Sequence, residues 1–426
     1  GVVLVTSGPG ATNTITGIMT ANMDSVPMVV LTGQTITPML GKDAFQEADV
    51  FGLTMPIVKH SYLIKNAADI PRIVREAFYI ATSGRPGPVL IDIPKDVSQG
   101  LFSGDLHAEM DLPGYSLKNG FDHSRILEIS GALSRSRKPI LLVGHGVLVA
   151  NASDTVRLLA ERLSAPVTTT LLGKGAFPES HPLSLGMLGM HGTAYANKAM
   201  VECDLVMSIG SRYDDRIIGQ PHRFCKDAIR IHIDIDESEI GKMIKCHHWC
   251  VGDARSIVQE LVKHVGPLNT SDWLRDLNVY KKKFPLKYKK SRGLKMQHVL
   301  EELYKMTNGE AIISTDVGQH QMWAAQFYKT DHPGNWLSSG GAGTMGFGLP
   351  AAIGAQFGRP QELVVAVLGD GGFQMTMSEL STACVHKLPI KVIILNNHYL
   401  GMVRQWQELF YEERESGVDL EGNPDF

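Results

Sequence analysis

Short runs of Val, Ile and Leu alternate with amphipathic stretches along nearly the whole chain, the pattern of parallel sheets joined by crossover helices. The first hundred residues carry strand-like runs at 2–6, 28–32 and 89–93, and each enters a loop rich in Gly or Pro: Ser-Gly-Pro-Gly-Ala-Thr-Asn from Ser7, Thr-Gly-Gln from Thr32, and Ile-Pro-Lys-Asp from Ile93. A polar stretch with Pro and Gly at 103–119 reads as a linker. A second set of strands follows at 139–143, 166–170, 205–209 and 230–235, ending near Val265. Residues 266–293 are charged and read as a solvated connector. A third set opens with an amphipathic helix at 296–306 and continues through strands at 311–315, 363–368 and 390–395. The expected architecture is α/β: three consecutive units, at 1–107, 120–265 and 294–426, each with a parallel sheet flanked by helices.

Composition narrows the function without naming it. At 426 residues the chain is too long for one core. Its formal net charge of -3 gives no reason to expect nucleic acid or a membrane surface as partner. Gly, Pro or charge interrupts every apolar run short of a bilayer span. The basic run from Lys281 to Lys290 is read as a solvated face rather than a nucleic-acid patch. Five scattered cysteines point to a reducing compartment, not a disulfide framework. Cys246-His247-His248-Trp249-Cys250 gathers two thiols and two imidazoles, but zinc normally needs a second ligand pair and none is evident, so no zinc is expected. The chain begins Gly1-Val2-Val3 without Met and stops at Phe426. It is read as truncated at both ends, with any targeting segment upstream.

The most informative segment is Gly369-Asp370-Gly371-Gly372, followed by 24 residues from Gly372 to Leu395 and then Asn396-Asn397. Asp370 ends a strand, where ligands gather at the carboxyl edge of a parallel sheet. Gly371 and Gly372 allow backbone amides to approach an anion and open a helix expected at 377–386, whose N-terminus favours phosphate. The next strand delivers Asn397 to the same edge. One carboxylate, one amide oxygen, a carbonyl and phosphate oxygens suit Mg²⁺. Upstream, Gly341, Gly343 and Gly346 form a GxGxxG. The dinucleotide reading is rejected because 336–339 makes a poor buried strand and no acidic residue ends a later strand at the expected distance.

The GDG turn with Asn396-Asn397 at this spacing resembles the signature of thiamine-diphosphate-dependent enzymes. By that resemblance Asp370, Asn397 and the Tyr399 carbonyl would hold Mg²⁺. Gln319, His320, Gly343, Met345, Gly371, Gly372, Gly401 and Met402 would line the cofactor, with Met345 wedged beneath it. Within that family the chain is most similar to the catalytic subunits of biosynthetic acetohydroxyacid (acetolactate) synthases. Ser7 to Asn13 resembles their pyrimidine-domain loop. Gly41 to Asp49 resembles their active-site loop, with Phe45 and Gln46 facing substrate. Pro94-Lys95-Asp96 is a further signature, in which Lys95 is open between a site residue and a solvated lysine. The family's activating glutamate would lie before residue 1, so these residues alone are expected to be inactive.

In the second unit Arg212-Tyr213-Asp214-Asp215-Arg216 resembles the family's RFDDR motif, with Tyr for Phe keeping an aromatic ring. That motif marks synthases that bind FAD. The resemblance places Arg85, Gly144, Gly146, Thr170, Leu171, Leu172, Leu188, Gly189, Met190, His191, Gly210, Arg212, Asp214, Arg216, Asp234, Ile235 and Asp253 around the flavin, which would be structural because the reaction has no net redox change. Met190 is also counted among the catalytic residues. Arg216 is the candidate for the acceptor's carboxylate, which a guanidinium fork matches. Gly401 to Trp406 resembles the segment that reads the second substrate. A helix puts Val403, Trp406 and Phe410 on one face, a spacing that equally fits a core stripe. With the flanking motifs, Trp406 is taken to select 2-ketobutyrate through its extra methyl, a contact worth about 1–3 kcal/mol. The resemblance implies decarboxylation of pyruvate and transfer of its two-carbon unit to pyruvate or 2-ketobutyrate. It also implies a homodimer or homotetramer, a small regulatory subunit, and a cytoplasmic location in bacteria or a plastid one in plants.

Overall fold

The computed structural model describes residues 1–102, 104–117, 120–289 and 293–426. Parts of the expected linker (Ser103, Lys118, Asn119) and the end of the basic run (Lys290) lie outside the described residues. The chain divides into two compact units. The first is Gly1–Lys118 with Gly340–Thr344, and the second is Asn119–Ser339 with Met345–Phe426.

In the first unit, β1 (Val2–Val5), β2 (Met28–Gln34), β3 (His60–Leu63) and β4 (Pro88–Pro94) form an all-parallel sheet in the order β1-β2-β4-β3. Alternating side chains of β2 and β4 feed two cores. Val29, Val89 and Ile91 meet Ile73, Ala77 and Ile80 of the helix Ile70–Thr82, while Val30 and Leu90 meet Ile18 on the other face. Burial of both faces is why these strands read as unbroken aliphatic runs.

The second unit holds two sheets. One contains β5 (Pro139–Val143), β6 (Val167–Thr169), β7 (Ser184–Met187), β8 (Leu205–Ile209), β9 (Ile229–Asp234) and β10 (His248–Val251), in the order β10-β9-β8-β5-β6-β7. The other contains β11 (Ile312–Thr315), β12 (Trp336–Ser338), β13 (Val364–Gly369) and β14 (Lys391–Leu395), in the order β12-β11-β13-β14. Every pairing is parallel. The two sheets are bound to each other. Leu171 and Met187 enter the core around β11 and β13. Buried Lys174 pairs with Glu179, whose Oε2 also accepts from the Thr330 amide at 2.7 Å, and the Lys174 ammonium lies 5.2 Å from the Trp336 ring centroid.

Three expectations need correction. The charged stretch 266–293 is not a solvated connector throughout. It contains the helix Ser271–Lys283, whose Trp273 and Leu277 are buried in the core beneath β5 and β8, with Trp273 Nε1 donating to the Pro139 carbonyl at 3.2 Å. Trp336–Ser338, judged a poor strand, does pair with β11. It is a short edge strand whose Trp is buried and whose Ser338 hydroxyl bonds to that of Thr315, so its polar residues are satisfied inside. The helix expected at 377–386 begins earlier. Asp370–Thr376 is helical directly from the end of β13, and a 3₁₀ turn, Met377–Glu379, separates it from Leu380–Val385. Among the described residues no helix is long and apolar enough to cross a membrane.

Candidate functional site

In the sheet of β11 to β14, sequence order reverses between β11 and β13, which opens a crevice at their carboxyl ends. An open cleft occupies this place. It brings together Gln319, His320, Met345, Asp370, Gly371, Gly372, Asn397, Tyr399, Gly401, Met402 and Val403. Gly343, at φ +62°, belongs to the stretch Gly340–Thr344 of the first unit and is not counted in this lining. Sequence reasoning missed Met296, Trp323 and Leu400, which also line the cleft. Trp323 stands four residues after Gln319 on the helix Gln319–Phe327, and that spacing was the available signal.

The local chemistry suits a charged, phosphorylated ligand with a hard cation. Asp370 is 1% exposed, and its Oδ2 accepts from Asn423 Nδ2 at 3.1 Å. Asn397 sits past the end of β14, its Nδ2 donating to Gln319 Oε1 at 3.4 Å and its Oδ1 accepting from the Tyr399 amide at 3.3 Å. Gln319 in turn donates to Gln405 at 2.8 Å. A side chain at Gly401 would collide with Gln319 Oε1, and one at Gly371 would press on Leu400 at 3.0 Å. His320 is buried with its Nε2 unpartnered, and the backbones at Gly318 and Gly369 crowd its ring. Burial pushes this imidazole down to about 4, although Asp316 and Asp370 oppose the shift, so it is neutral at pH 7. An orphaned buried nitrogen and glycine-lined walls fit a polar group entering the cleft.

The six-stranded sheet reverses between β5 and β8, and the predicted flavin residues collect at that edge. Gly144 follows β5, Thr170 follows β6, Leu188 and Gly189 follow β7, Gly210 follows β8, Asp234 ends β9 and Ile235 follows it. The glycines allow backbone to meet backbone. The Gly146 amide donates to the Gly210 carbonyl at 3.0 Å, and side chains at Gly144 or Gly146 would strike Gly210. Gly210 itself has φ +61°. Thr170 Oγ1 accepts from the Gly173 amide at 2.9 Å, while Leu171 and Leu172 are half-buried. Asp253 caps the helix Ala254–His264, accepting from Ser256 N and Oγ at 2.8 Å. Tyr213 is fully buried, and its hydroxyl donates to the Ile231 carbonyl at 3.2 Å, so the departure from Phe finds a partner. Asp214 caps the short helix Asp215–Ile218 and Arg212 is half-buried beside it. Buried His232 contacts the Ser211 carbonyl at 2.9 Å and Asp234 Oδ2 at 3.7 Å. Burial works against its charged form, but Asp234 and Cys246 outweigh it and push the ring up to about 9. In the Cys-His-His-Trp-Cys stretch, Cys250 faces the core and the Arg125 guanidinium stacks 4.3 Å from the Trp249 ring.

Between these two edges lies the RYDDR loop. The Arg216 carbonyl accepts from the Met190 amide at 3.0 Å, and the His191 carbonyl accepts from Gln326 at 2.8 Å. Burial, then Arg216, lowers the His191 imidazole. The Arg216 guanidinium reaches Trp406 at 5.6 Å. Trp406 lies on the helix Gly401–Phe410, none of whose residues is buried. The Val403, Trp406 and Phe410 stripe is therefore not a core stripe of this chain.

In the first unit the Ser7 loop and the Phe45 loop meet beside the carboxyl edge of the sheet. Ser7 Oγ donates to Gln46 at 3.5 Å, and a side chain at Gly8 would press on Gln46 at 2.9 Å. Phe45 is 90% exposed, on a loop that Glu47 closes by accepting the Gly41 and Ala44 amides. Lys95 is exposed at the first turn after β4. Arg85 donates to Ser25 Oγ at 3.0 Å.

Comparison with known proteins agrees with this geometry. Family models match three successive stretches: the thiamine pyrophosphate enzyme N-terminal TPP binding domain at 1–53, the central domain at 126–261, and the C-terminal TPP binding domain at 316–426. The acetolactate synthase large subunit of Parasynechococcus marenigrum is 49% identical over 439 residues, covering 100% of this chain and 70% of that protein. The acetolactate synthase of Mycobacterium bovis is 48% identical, covering 99% and 69%. The acetolactate synthase large subunit of Haemophilus influenzae is 46% identical, covering 100% and 76%. The chain therefore belongs to the acetolactate synthase large-subunit family, thiamine-diphosphate-dependent transferases of branched-chain amino acid biosynthesis.

Proposed function

We propose that the cleft at the carboxyl ends of β11 and β13 is where this chain binds thiamine diphosphate with Mg²⁺. There pyruvate would lose carbon dioxide, and its two-carbon unit would pass to a second pyruvate or to 2-ketobutyrate, giving 2-acetolactate or 2-aceto-2-hydroxybutyrate. The observation that carries this reading is the convergence of Asp370, Gly371, Gly372, Asn397 and His320 on one cleft at the strand-order reversal. Asp370, the Asn397 side-chain oxygen and the Tyr399 carbonyl would hold the cation, which keeps few protein ligands. Backbone at Gly371 and Gly372 would admit the diphosphate, and the Met345 side chain, which lines the same cleft, would support the cofactor. When bound, the cofactor supplies the electron sink for decarboxylation. The protein's task is to orient the acceptor: the Arg216 fork takes its carboxylate and Trp406 its alkyl end, with Met190 and Val403 beside them, while in the first unit Phe45, Gln46 and Lys95 are proposed as substrate-facing residues of their own loops.

FAD is proposed at the carboxyl edge of the six-stranded sheet, where the close-packed backbones of Gly144, Gly146 and Gly210 keep side chains out of the edge and the carboxylate of Asp234 supplies an acidic end. Its role there is structural. A homodimer or homotetramer with a small regulatory subunit is proposed. The words "large subunit" in the names of relatives support the second kind of partner.

The test is an acetolactate assay of the full-length protein, with whatever sequence flanks these residues, using pyruvate, thiamine diphosphate and Mg²⁺, repeated after chelation, with a flavin absorbance spectrum of the purified protein. Product formation indifferent to chelator would remove the metal, and a colourless active protein would remove FAD.

A further inference from the structure

Asp316 is the first residue after β11, and its side chain is wholly buried. Its Oδ1 accepts from the Val317 amide at 2.8 Å and the Gly346 amide at 3.0 Å, and its Oδ2 accepts from the Gly348 amide at 3.0 Å. Gly346 directly follows Met345. A side chain on Gly372 would overlap Asp316 Oδ1, and one on Gly348 would meet the Asp316 amide at 2.6 Å. One carboxylate thus draws three pieces of chain together: the end of β11, the glycine-rich turn bearing Met345, and the first turn of the helix Asp370–Thr376. Two amides of that glycine-rich turn are spent on an internal anion, so they do not face a ligand.

We propose that Asp316 is a positioning residue for the cofactor: a fixed internal anion that sets the backbone on either side of the cleft, at Met345 and at Gly371 and Gly372. The proposal rests on the thiamine diphosphate reading of that cleft. Buried carboxylates that accept several backbone amides are strongly committed, because removing one acceptor leaves a buried donor unsatisfied. Asp316→Asn keeps the shape but turns an NH₂ group toward at least one amide that now donates to oxygen.

The test titrates thiamine diphosphate with Mg²⁺ into the protein by calorimetry and, in parallel, measures the apparent KM for cofactor and for pyruvate. Asp316→Asn should weaken cofactor binding roughly tenfold to a hundredfold, with the KM for pyruvate at saturating cofactor changed less than about twofold. Gly372→Ala should cause a comparable loss by crowding Asp316 Oδ1. In the Asp316→Ala background the same methyl has room, so the double variant should bind better than the product of the two single losses. Cofactor binding of Asp316→Asn equal to the parent, or strictly multiplicative losses in the double variant, would overturn the proposal. Should Asp316→Asn fail to fold, undiminished binding by Gly372→Ala alone overturns it. If the parent protein itself does not bind thiamine diphosphate, the cleft assignment falls first and the proposal with it.

Discussion

The Arg216 guanidinium lies 5.6 Å from the centre of the Trp406 ring, although 190 positions separate the two residues in sequence. One comes from the edge of the six-stranded sheet and the other from the helix after β14. Stacking of this kind is worth about 0.5–1 kcal/mol at exposed sites. Its value here is geometric: a guanidinium and an aromatic face stand side by side, the pair proposed above for the carboxylate and the alkyl end of a 2-keto acid.

Replacing the wall should therefore change choice more than rate. Trp406→Leu is expected to lower the preference for 2-ketobutyrate over pyruvate by roughly tenfold, within the range for losing a methylene contact. A competition assay supplies the product ratio, and an unchanged ratio would remove Trp406 from acceptor selection.

Replacing the cation should act on the acceptor's charged end. Arg216→Lys loses the planar fork and the stacking, and is expected to reduce kcat/KM for both acceptors by about tenfold or more. Steady-state kinetics with each acceptor check this, and equal kcat/KM in parent and variant would refute it.

At the proposed cation site, Asp370→Ala should abolish Mg²⁺-dependent binding of thiamine diphosphate in calorimetry. Gly401→Ala, whose new methyl would collide with Gln319 Oε1, should weaken the same binding without touching a ligand atom. Retained affinity in Asp370→Ala would place the cation elsewhere.

The buried His232 gives a pH prediction. Its folded value of about 9 lies above the ordinary 6.5, so its contribution is full below pH 6.5 and is lost as pH rises through about 9. The shift corresponds to on the order of 3 kcal/mol. Thermal melting between pH 6 and 10 should show the parent losing stability over that window, while His232→Gln, less stable at pH 6, shows a shallower decline. Parallel curves for the two proteins would mean that His232 is not charged in the fold.

Most of the central strands were legible because burial on both faces leaves unbroken Val, Ile and Leu runs, as in Leu205–Ile209 and Val364–Gly369. The strands missed or doubted were His60–Leu63, Ser184–Met187, His248–Val251 and Trp336–Ser338, each at a sheet edge. These four are short, paired on one side and partly polar, so no aliphatic run marks them, unlike the edge strands Val2–Val5 and Lys391–Leu395. The site was legible where chemistry sits directly after a strand, as with Asp370 and Asn397. Asp316 occupies the same kind of position and was passed over, since its partners Gly346 and Gly348 lie 30 and 32 residues downstream and only folding brings them to it. The docking of Ser271–Lys283 was hidden by charge: Asp272, Arg275 and Asp276 flank the inward-pointing Trp273 and Leu277, and Lys281–Lys283 close the helix.

The ion pair of Lys174 and Glu179, shared with Thr330 and Trp336, limits how this protein can be recombined. A chimera that joins the six-stranded sheet of one relative to the four-stranded sheet of another, crossing over in the charged stretch between them, would separate the pair from the backbone and ring that enclose it. The pair itself stays together, but a buried ion pair repays its desolvation only when the groups around it fit, so a mismatched enclosure is destabilising. Exchangeable blocks must therefore carry residues 170–180 and 328–338 from the same parent, although some 150 positions divide Glu179 from Thr330 in sequence.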